Sequence, residues 1–118
     1  MKGFIMMLQT KSLEKATLLT LNLGKATREQ ANIFRESLNE QLSLGMYNFV
    51  IDCRALVWMD YSFLAELVKS LRECTSCGGD IRLVRSKYSP VWSLFELNSI
   101  AKTFKLYNDL DEAIESYN

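Results

Sequence analysis

The 118-residue sequence contains no histidine, and this absence limits the chemistry open to it. Histidine is the commonest general base, and it supplies half of every Ser-His or Cys-His catalytic pair. The glycine-rich phosphate-binding motifs and the HExxH zinc motif do not occur either. No convergent set of polar residues supports a small hydrolase or a ligand-binding protein. The sequence therefore predicts a protein that is not an enzyme.

Proline and glycine are also scarce, with one proline and five glycines. No stretch has the composition of a flexible linker, and we find no internal repeat. Hydrophobic residues make up 48% of the chain, which is enough to build one buried core. We predict a single domain over residues 1–118.

The chain has no net charge, because 14 basic residues balance 14 acidic ones. A nucleic-acid partner is not expected, since such proteins need a basic face to neutralise phosphates. No apolar run approaches the roughly 20 residues of a membrane span, so direct membrane insertion is not expected. The apolar run at residues 4–8 is too short for a signal peptide. These features predict a cytoplasmic protein.

Cysteines are few and odd in number, namely Cys53, Cys74 and Cys77. An odd number is typical of a reducing compartment and not of a disulfide framework. Cys74 and Cys77 have CxxC spacing, but a zinc site would need a second pair of ligands. A thioredoxin-type pair lies at the start of a helix, whereas this pair lies at a predicted helix end. We therefore predict reduced thiols, no metal and no cofactor.

Short apolar runs alternate with stretches of helical periodicity along the chain. Capping patterns mark several helix starts, such as Thr27 with Gln30, Ser89 followed by Pro90, and Asp109 with Glu112. The predicted order is β-β-α-β-α-β-α-β-α, which indicates an α/β fold. Its mixed sheet is mostly parallel with an antiparallel first strand, and about four helices cover it. The predicted strands cover approximately residues 4–8, 17–23, 48–53, 81–84 and 104–107, and the helices begin near residues 27, 62, 89 and 109.

The most informative stretch is residues 50–64, in which a buried strand ends at Asp52 and an apolar loop follows. Asp60 and Ser62 then open a helix. A phosphate on Ser62 would lie at the positive end of the helix dipole, where free N–H groups can bind it. Two interpretations stay open: Ser62 is an exposed phosphate acceptor, or Asp60 or Ser62 serves only as the N-cap.

Several segments together carry a resemblance to a known family. Residues 50–53 match a strand that ends in Asp-Leu, and residues 60–64, Asp-Tyr-Ser-Phe-Leu, fall on an Asp-Ser-Ser-Gly-Leu signature. Residues 78–84 resemble a Gly-Gly-x-Leu-x-Leu strand, while residues 91–100 and 109–114 resemble two later helices. On these residues the chain resembles STAS domains, in particular the stand-alone anti-sigma factor antagonists.

The resemblance implies a protein-binding switch that sequesters an anti-sigma factor. That partner is a serine kinase of the histidine-kinase-like ATPase type, and it phosphorylates the second serine of the signature. This serine aligns with Ser62, and a serine phosphatase resets the switch. The expected partner-binding residues are Trp58, Asp60, Tyr61, Ser62, Phe63 and Glu66.

The chain departs from the signature at two positions, because Tyr61 replaces the first serine and Phe63 replaces the glycine. The ring of Phe63 either anchors a partner at the surface or packs in the core. An alternative within the family is a docking subunit without a phospho-switch, in a transporter or lipid-transport ATPase complex. A receiver-like domain with Asp52 as acceptor is not expected, because no acidic pair follows the second strand to bind Mg²⁺.

Overall fold

The structure is a computed structural model, and it describes residues 8–92 and 101–118. Short strands alternate with helices, and residues 90–92 are also helical. Ala101–Thr103 forms a single 3-10 turn. In chain order the elements are β1 (Leu8–Ser12), β2 (Thr17–Leu21), β3 (Lys25–Ala26), α1 (Arg28–Ser43), β4 (Asn48–Asp52), β5 (Trp58–Met59), α2 (Tyr61–Ser76), β6 (Asp80–Val84), β7 (Lys105–Tyr107) and α3 (Leu110–Glu115).

The main sheet has five strands in the order β1-β2-β4-β6-β7. β1 runs antiparallel to β2, and each remaining neighbour pair is parallel. This mixed α/β sheet confirms the predicted fold class. Because β2, β4, β6 and β7 point the same way, the segments that follow them meet at one edge of the sheet, which we call the carboxyl edge.

The two faces of the sheet bury different cores. Alternate side chains of a strand point to opposite faces, so Leu19 and Ile51 pack on one face while Leu18 and Val50 pack on the other. α1 and α2 cover the first face and supply most of its apolar side chains. α3 covers the second face through Ala113. Near its end, the hydroxyl of Tyr117 lies 2.8 Å from the carbonyl oxygen of Phe49 and 2.9 Å from that of Asp80.

The first strand lies later in the chain than predicted, and only the start of the third predicted helix is described. The first strand was predicted at residues 4–8 but occupies Leu8–Ser12, and residues 1–7 lie outside the described part. Its polar residues Lys11 and Ser12 pair with β2, because a tight turn closed by the Leu13 N–H and the Ala16 carbonyl sets the register. The segment predicted to form a helix from residue 89 is helical at residues 90–92. Residues 93–100 lie outside the described part.

The capping pattern predicted for α1 is confirmed. The side-chain oxygen of Gln30 accepts a hydrogen bond from the Thr27 N–H at 2.8 Å. Within residues 8–92 and 101–118, no helix is long and apolar enough to cross a bilayer.

Candidate functional site

A two-stranded sheet fixes the starts of α1 and α2 side by side. β3 pairs with β5 in parallel, so that Lys25 lies opposite Trp58 and Ala26 opposite Met59. Just before this pair, the carbonyl of Gly24 accepts the N–H of Val57 at 2.8 Å and that of Trp58 at 3.0 Å. Both helices begin directly after these strands, and their N-termini therefore lie next to each other.

Asp60 caps both helix starts with one carboxylate. Its Oδ1 accepts the Phe63 N–H of α2 at 2.9 Å, and its Oδ2 accepts the Arg28 N–H of α1 at 3.1 Å. The first N–H groups of a helix have no partner within the helix, so each bond satisfies a donor that would otherwise lack one. The N-cap of α2 is thus Asp60 and not Ser62.

Ser62 is the second residue of α2, and its side chain is partly exposed. Among the hydrogen bonds of the described residues, none involves the Ser62 hydroxyl. The hydroxyl is therefore not needed to hold the helix start, which Asp60 already caps.

Large apolar side chains are exposed on both sides of Asp60. Val57 is 51% exposed, Trp58 46% and Tyr61 72%. Single exposed apolar residues are ordinary, whereas large apolar patches are found at interaction surfaces. We call Val57, Trp58 and Tyr61 the docking patch. Val57 was not among the predicted partner-binding residues, because one valine in a loop has no distinctive sequence signal.

Phe63 does not belong to this exposed surface. It is only 1% exposed and packs against Phe34 of α1, with 5.8 Å between ring centroids. Of the two positions that the sequence leaves open for the ring, the structure shows the core position. The helical spacing of Leu64, Leu67, Val68 and Leu71 predicts a buried face for α2. The observed face is rotated from it, since Leu64 and Val68 are only partly buried. Its buried residues are Phe63, Leu67, Ser70, Leu71 and Cys74.

Glu66 is engaged inside the protein by Arg35 of α1. The Arg35 Nε lies 2.7 Å from Glu66 Oε2, and a second guanidinium nitrogen lies 2.6 Å from Glu73 Oε1. Burial lowers the pKa of Arg35, but the hydrogen bonds and charges of the two carboxylates outweigh it and raise the pKa above its usual value. The predicted partner-binding residue Glu66 therefore lies in a bridge between helices, outside the docking patch.

Asp52, at the end of β4, is buried and paired with Arg54. The Arg54 Nε lies 2.9 Å from Asp52 Oδ1, and Nη2 lies 2.8 Å from Oδ2. The hydrogen bond to Asp52 raises the pKa of Arg54. In the described part of the chain, no group of three or more potential ligands is placed to hold a metal ion. The pairing of Asp52 with Arg54 instead holds the start of the loop that precedes the docking patch.

The thiols differ in accessibility, since Cys53 and Cys74 are buried and Cys77 is exposed. Burial raises the pKa of Cys74 to about 12 and that of Cys53 still further, so neither forms the reactive thiolate readily.

We expect the native protein to react rapidly with an aromatic disulfide reagent at Cys77 alone. Thiol counting before and after denaturation checks this, with Cys77→Ser as the control that loses the fast reaction. A second fast-reacting thiol would contradict the burial of the other two.

Comparison with protein-family models identifies one family. The family model described as the STAS domain matches residues 10–113. No sequence among the curated proteins matches this chain.

Solved structures share the fold. A putative anti-sigma factor antagonist of Thermotoga maritima has a TM-score of 0.79 and 23% identity, over 94% of each chain. The phosphorylated form of the Bacillus cell fate determinant SpoIIAA has a TM-score of 0.72 and 17% identity, over 94% of this chain and 99% of that one. The murine anion transporter Slc26a9 has a TM-score of 0.73 and 12% identity, over 91% of this chain and 18% of the transporter.

Proposed function

This chain belongs to the STAS domain family, and on that premise we propose that it is an anti-sigma factor antagonist that acts by binding a protein. The observation that carries the proposal is the docking patch beside the partly exposed Ser62, at a helix start that Asp60 caps. Tryptophan and tyrosine are the side chains most enriched among the anchors of protein interfaces. Structural neighbours that are themselves named anti-sigma factor antagonists support the same role.

The partner in this proposal is a cytoplasmic anti-sigma factor, a serine kinase of the histidine-kinase-like ATPase type. In its unmodified form the chain binds the kinase and so frees the sigma factor. The kinase phosphorylates Ser62, and a serine phosphatase removes the phosphate. The chain itself performs no catalysis.

Phosphorylation would release the partner by an electrostatic effect. A phosphate adds roughly two negative charges at neutral pH. On Ser62 these charges would lie close to the carboxylate of Asp60 and beside Trp58 and Tyr61, whose exposed surfaces a partner must cover. Burying a phosphate in an interface is costly unless a basic group pairs with it.

We expect Ser62→Asp to weaken kinase binding at least tenfold, since an uncompensated charge in an interface costs more than about 1.4 kcal/mol. Ser62→Asn is the matched control, because it has nearly the same shape without the charge, and it should bind much more tightly than Ser62→Asp. Isothermal titration calorimetry with the purified kinase measures both. Equal affinities for the two variants would show that charge at this position does not control binding.

Phosphorylation itself is tested with the kinase and ATP. Wild type should gain one phosphate, and Ser62→Ala should gain none, whereas Ser86→Ala should behave as wild type. Intact-protein and peptide mass spectrometry locate the group. A phosphate on Tyr61 or Ser89 would overturn the assignment of Ser62.

One observation favours the alternative, a docking subunit of a transporter or lipid-transport ATPase complex. The same fold occurs within the chain of the murine Slc26a9 anion transporter. Affinity purification of the chain from its source cell, followed by mass spectrometry, separates the two functions. Recovery of a histidine-kinase-like ATPase supports the antagonist, and recovery of transporter subunits supports the alternative.

A further inference from the structure

A buried hydrogen bond joins two loops at the carboxyl edge of the sheet. The hydroxyl of Ser89, which is 8% exposed, donates to the carbonyl oxygen of Leu56 at 2.9 Å. Leu56 is itself fully buried. The sequence had predicted Ser89 only as the N-cap of the following helix, yet its side chain reaches the loop that follows β4.

Exposed apolar residues flank this bond on both sides. Tyr88, directly before Ser89, is 85% exposed, and Val57, directly after Leu56, begins the docking patch. The loop after β6 is anchored behind Tyr88, since Val91 and Trp92 are buried in the larger core. The ammonium group of Lys87 lies 5.4 Å from the centre of the Tyr88 ring, close enough for a cation–π contact.

The loop that carries the docking patch is held from two directions. On one side, the Gly24 carbonyl accepts the N–H groups of Val57 and Trp58. On the other side, the Leu56 carbonyl accepts a hydrogen bond from the Ser89 hydroxyl. Because a surface that is rigid before binding loses less conformational entropy on binding, both contacts favour association with a partner.

We propose that Ser89 is a positioning residue of the partner-binding surface and that this surface extends from the docking patch to Tyr88. The proposal rests on the proposed function, because the partner is the same anti-sigma factor kinase. Ser89 does not contact the partner. It keeps the loop with Tyr88 beside the loop with Val57 and Trp58, so that one partner surface covers both.

The first test needs no partner. In Ser89→Ala, the amide protons of Val57 and Trp58 should exchange about tenfold faster, since an unpaired buried carbonyl favours local opening of the loop. The amide chemical shifts of β4 should stay in place. Ser86→Ala, which removes a hydroxyl from the same loop, is the matched control and should leave the exchange unchanged. Unchanged exchange in Ser89→Ala would overturn the positioning role.

The second test measures affinity for the purified kinase. Tyr88→Ala and Ser89→Ala should each weaken binding about tenfold while the protein stays folded. Ser89→Thr keeps the hydroxyl and should bind the kinase as tightly as wild type. If Trp58→Ala weakens binding but Tyr88→Ala and Ser89→Ala do not, the extended surface is wrong and the proposed function stands. If wild type binds no such kinase, the proposed function fails together with the binding role of Ser89, and the exchange measurement still decides whether the bond holds the loop.

Discussion

Replacing Phe63 by glycine, the residue of the STAS signature, is expected to lower the free energy of unfolding by about 4 kcal/mol or more. The ring is 1% exposed and packs against Phe34, so its removal leaves a cavity between α1 and α2. Removing a buried phenylalanine side chain typically costs about 3–5 kcal/mol, and glycine inside a helix adds nearly 1 kcal/mol. Urea denaturation followed by circular dichroism measures the change.

The other departure from the signature provides the matched control. Tyr61→Ser should change the free energy of unfolding by less than about 0.5 kcal/mol, because an exposed side chain contributes little to stability. Tyr61 is 72% exposed, so its loss should appear in partner affinity instead. Equal costs for the two substitutions would contradict the core position of Phe63.

The second large effect is expected at Gly79. Gly79→Ala should lower the free energy of unfolding by about 3 kcal/mol, since overpacking against fixed atoms costs in this range. An added Cβ would lie 2.0 Å from the carbonyl oxygen of Tyr47 and 2.6 Å from its carbonyl carbon. The backbone at Tyr47 and at Gly79 does not move easily, because both segments are hydrogen-bonded. The Tyr47 carbonyl accepts the Asp80 N–H, and the Gly79 N–H donates to the carbonyl of Cys74.

The preceding glycine separates steric crowding from backbone conformation. Gly78 has φ of +82°, and an added Cβ would meet nothing within 4 Å. Gly78→Ala should therefore cost only about 1 kcal/mol, the penalty of a left-handed conformation. Thermal and urea unfolding of both variants give the comparison. A larger loss for Gly78→Ala than for Gly79→Ala would mean that the approach of Tyr47 is not the controlling contact.

Much of the fold follows from local patterns in the sequence. The capping pair Thr27 and Gln30 and the buried run of β4 are signals that neighbouring residues create, and the structure confirms both. The β3–β5 pair was missed, because a strand of two residues has no periodicity. The predicted buried face of α2 was also wrong, because Phe63 lies in the first turn, where no preceding turn indicates which face is buried.

The candidate site was predictable only in part. The segment that carries the family signature indicates Ser62 and Trp58 as candidate residues, and their roles stay predictions. The bond between Ser89 and Leu56 joins residues 33 positions apart, so that only the folded sheet brings them together. Likewise, the sequence indicates only an acidic surface residue at Glu66, because the packing of α1 on α2 is what places Arg35 beside it.

The double cap formed by Asp60 determines what kind of signal a phosphate on Ser62 can give. Two of the backbone donors at this point, the N–H groups of Phe63 and Arg28, are already occupied by the Asp60 carboxylate. A phosphate would therefore find fewer internal donors and would keep more of its charge facing the solvent. The modified protein would therefore differ from the unmodified one mainly in the electrostatic potential of this surface, which a partner meets as it approaches and must then bury.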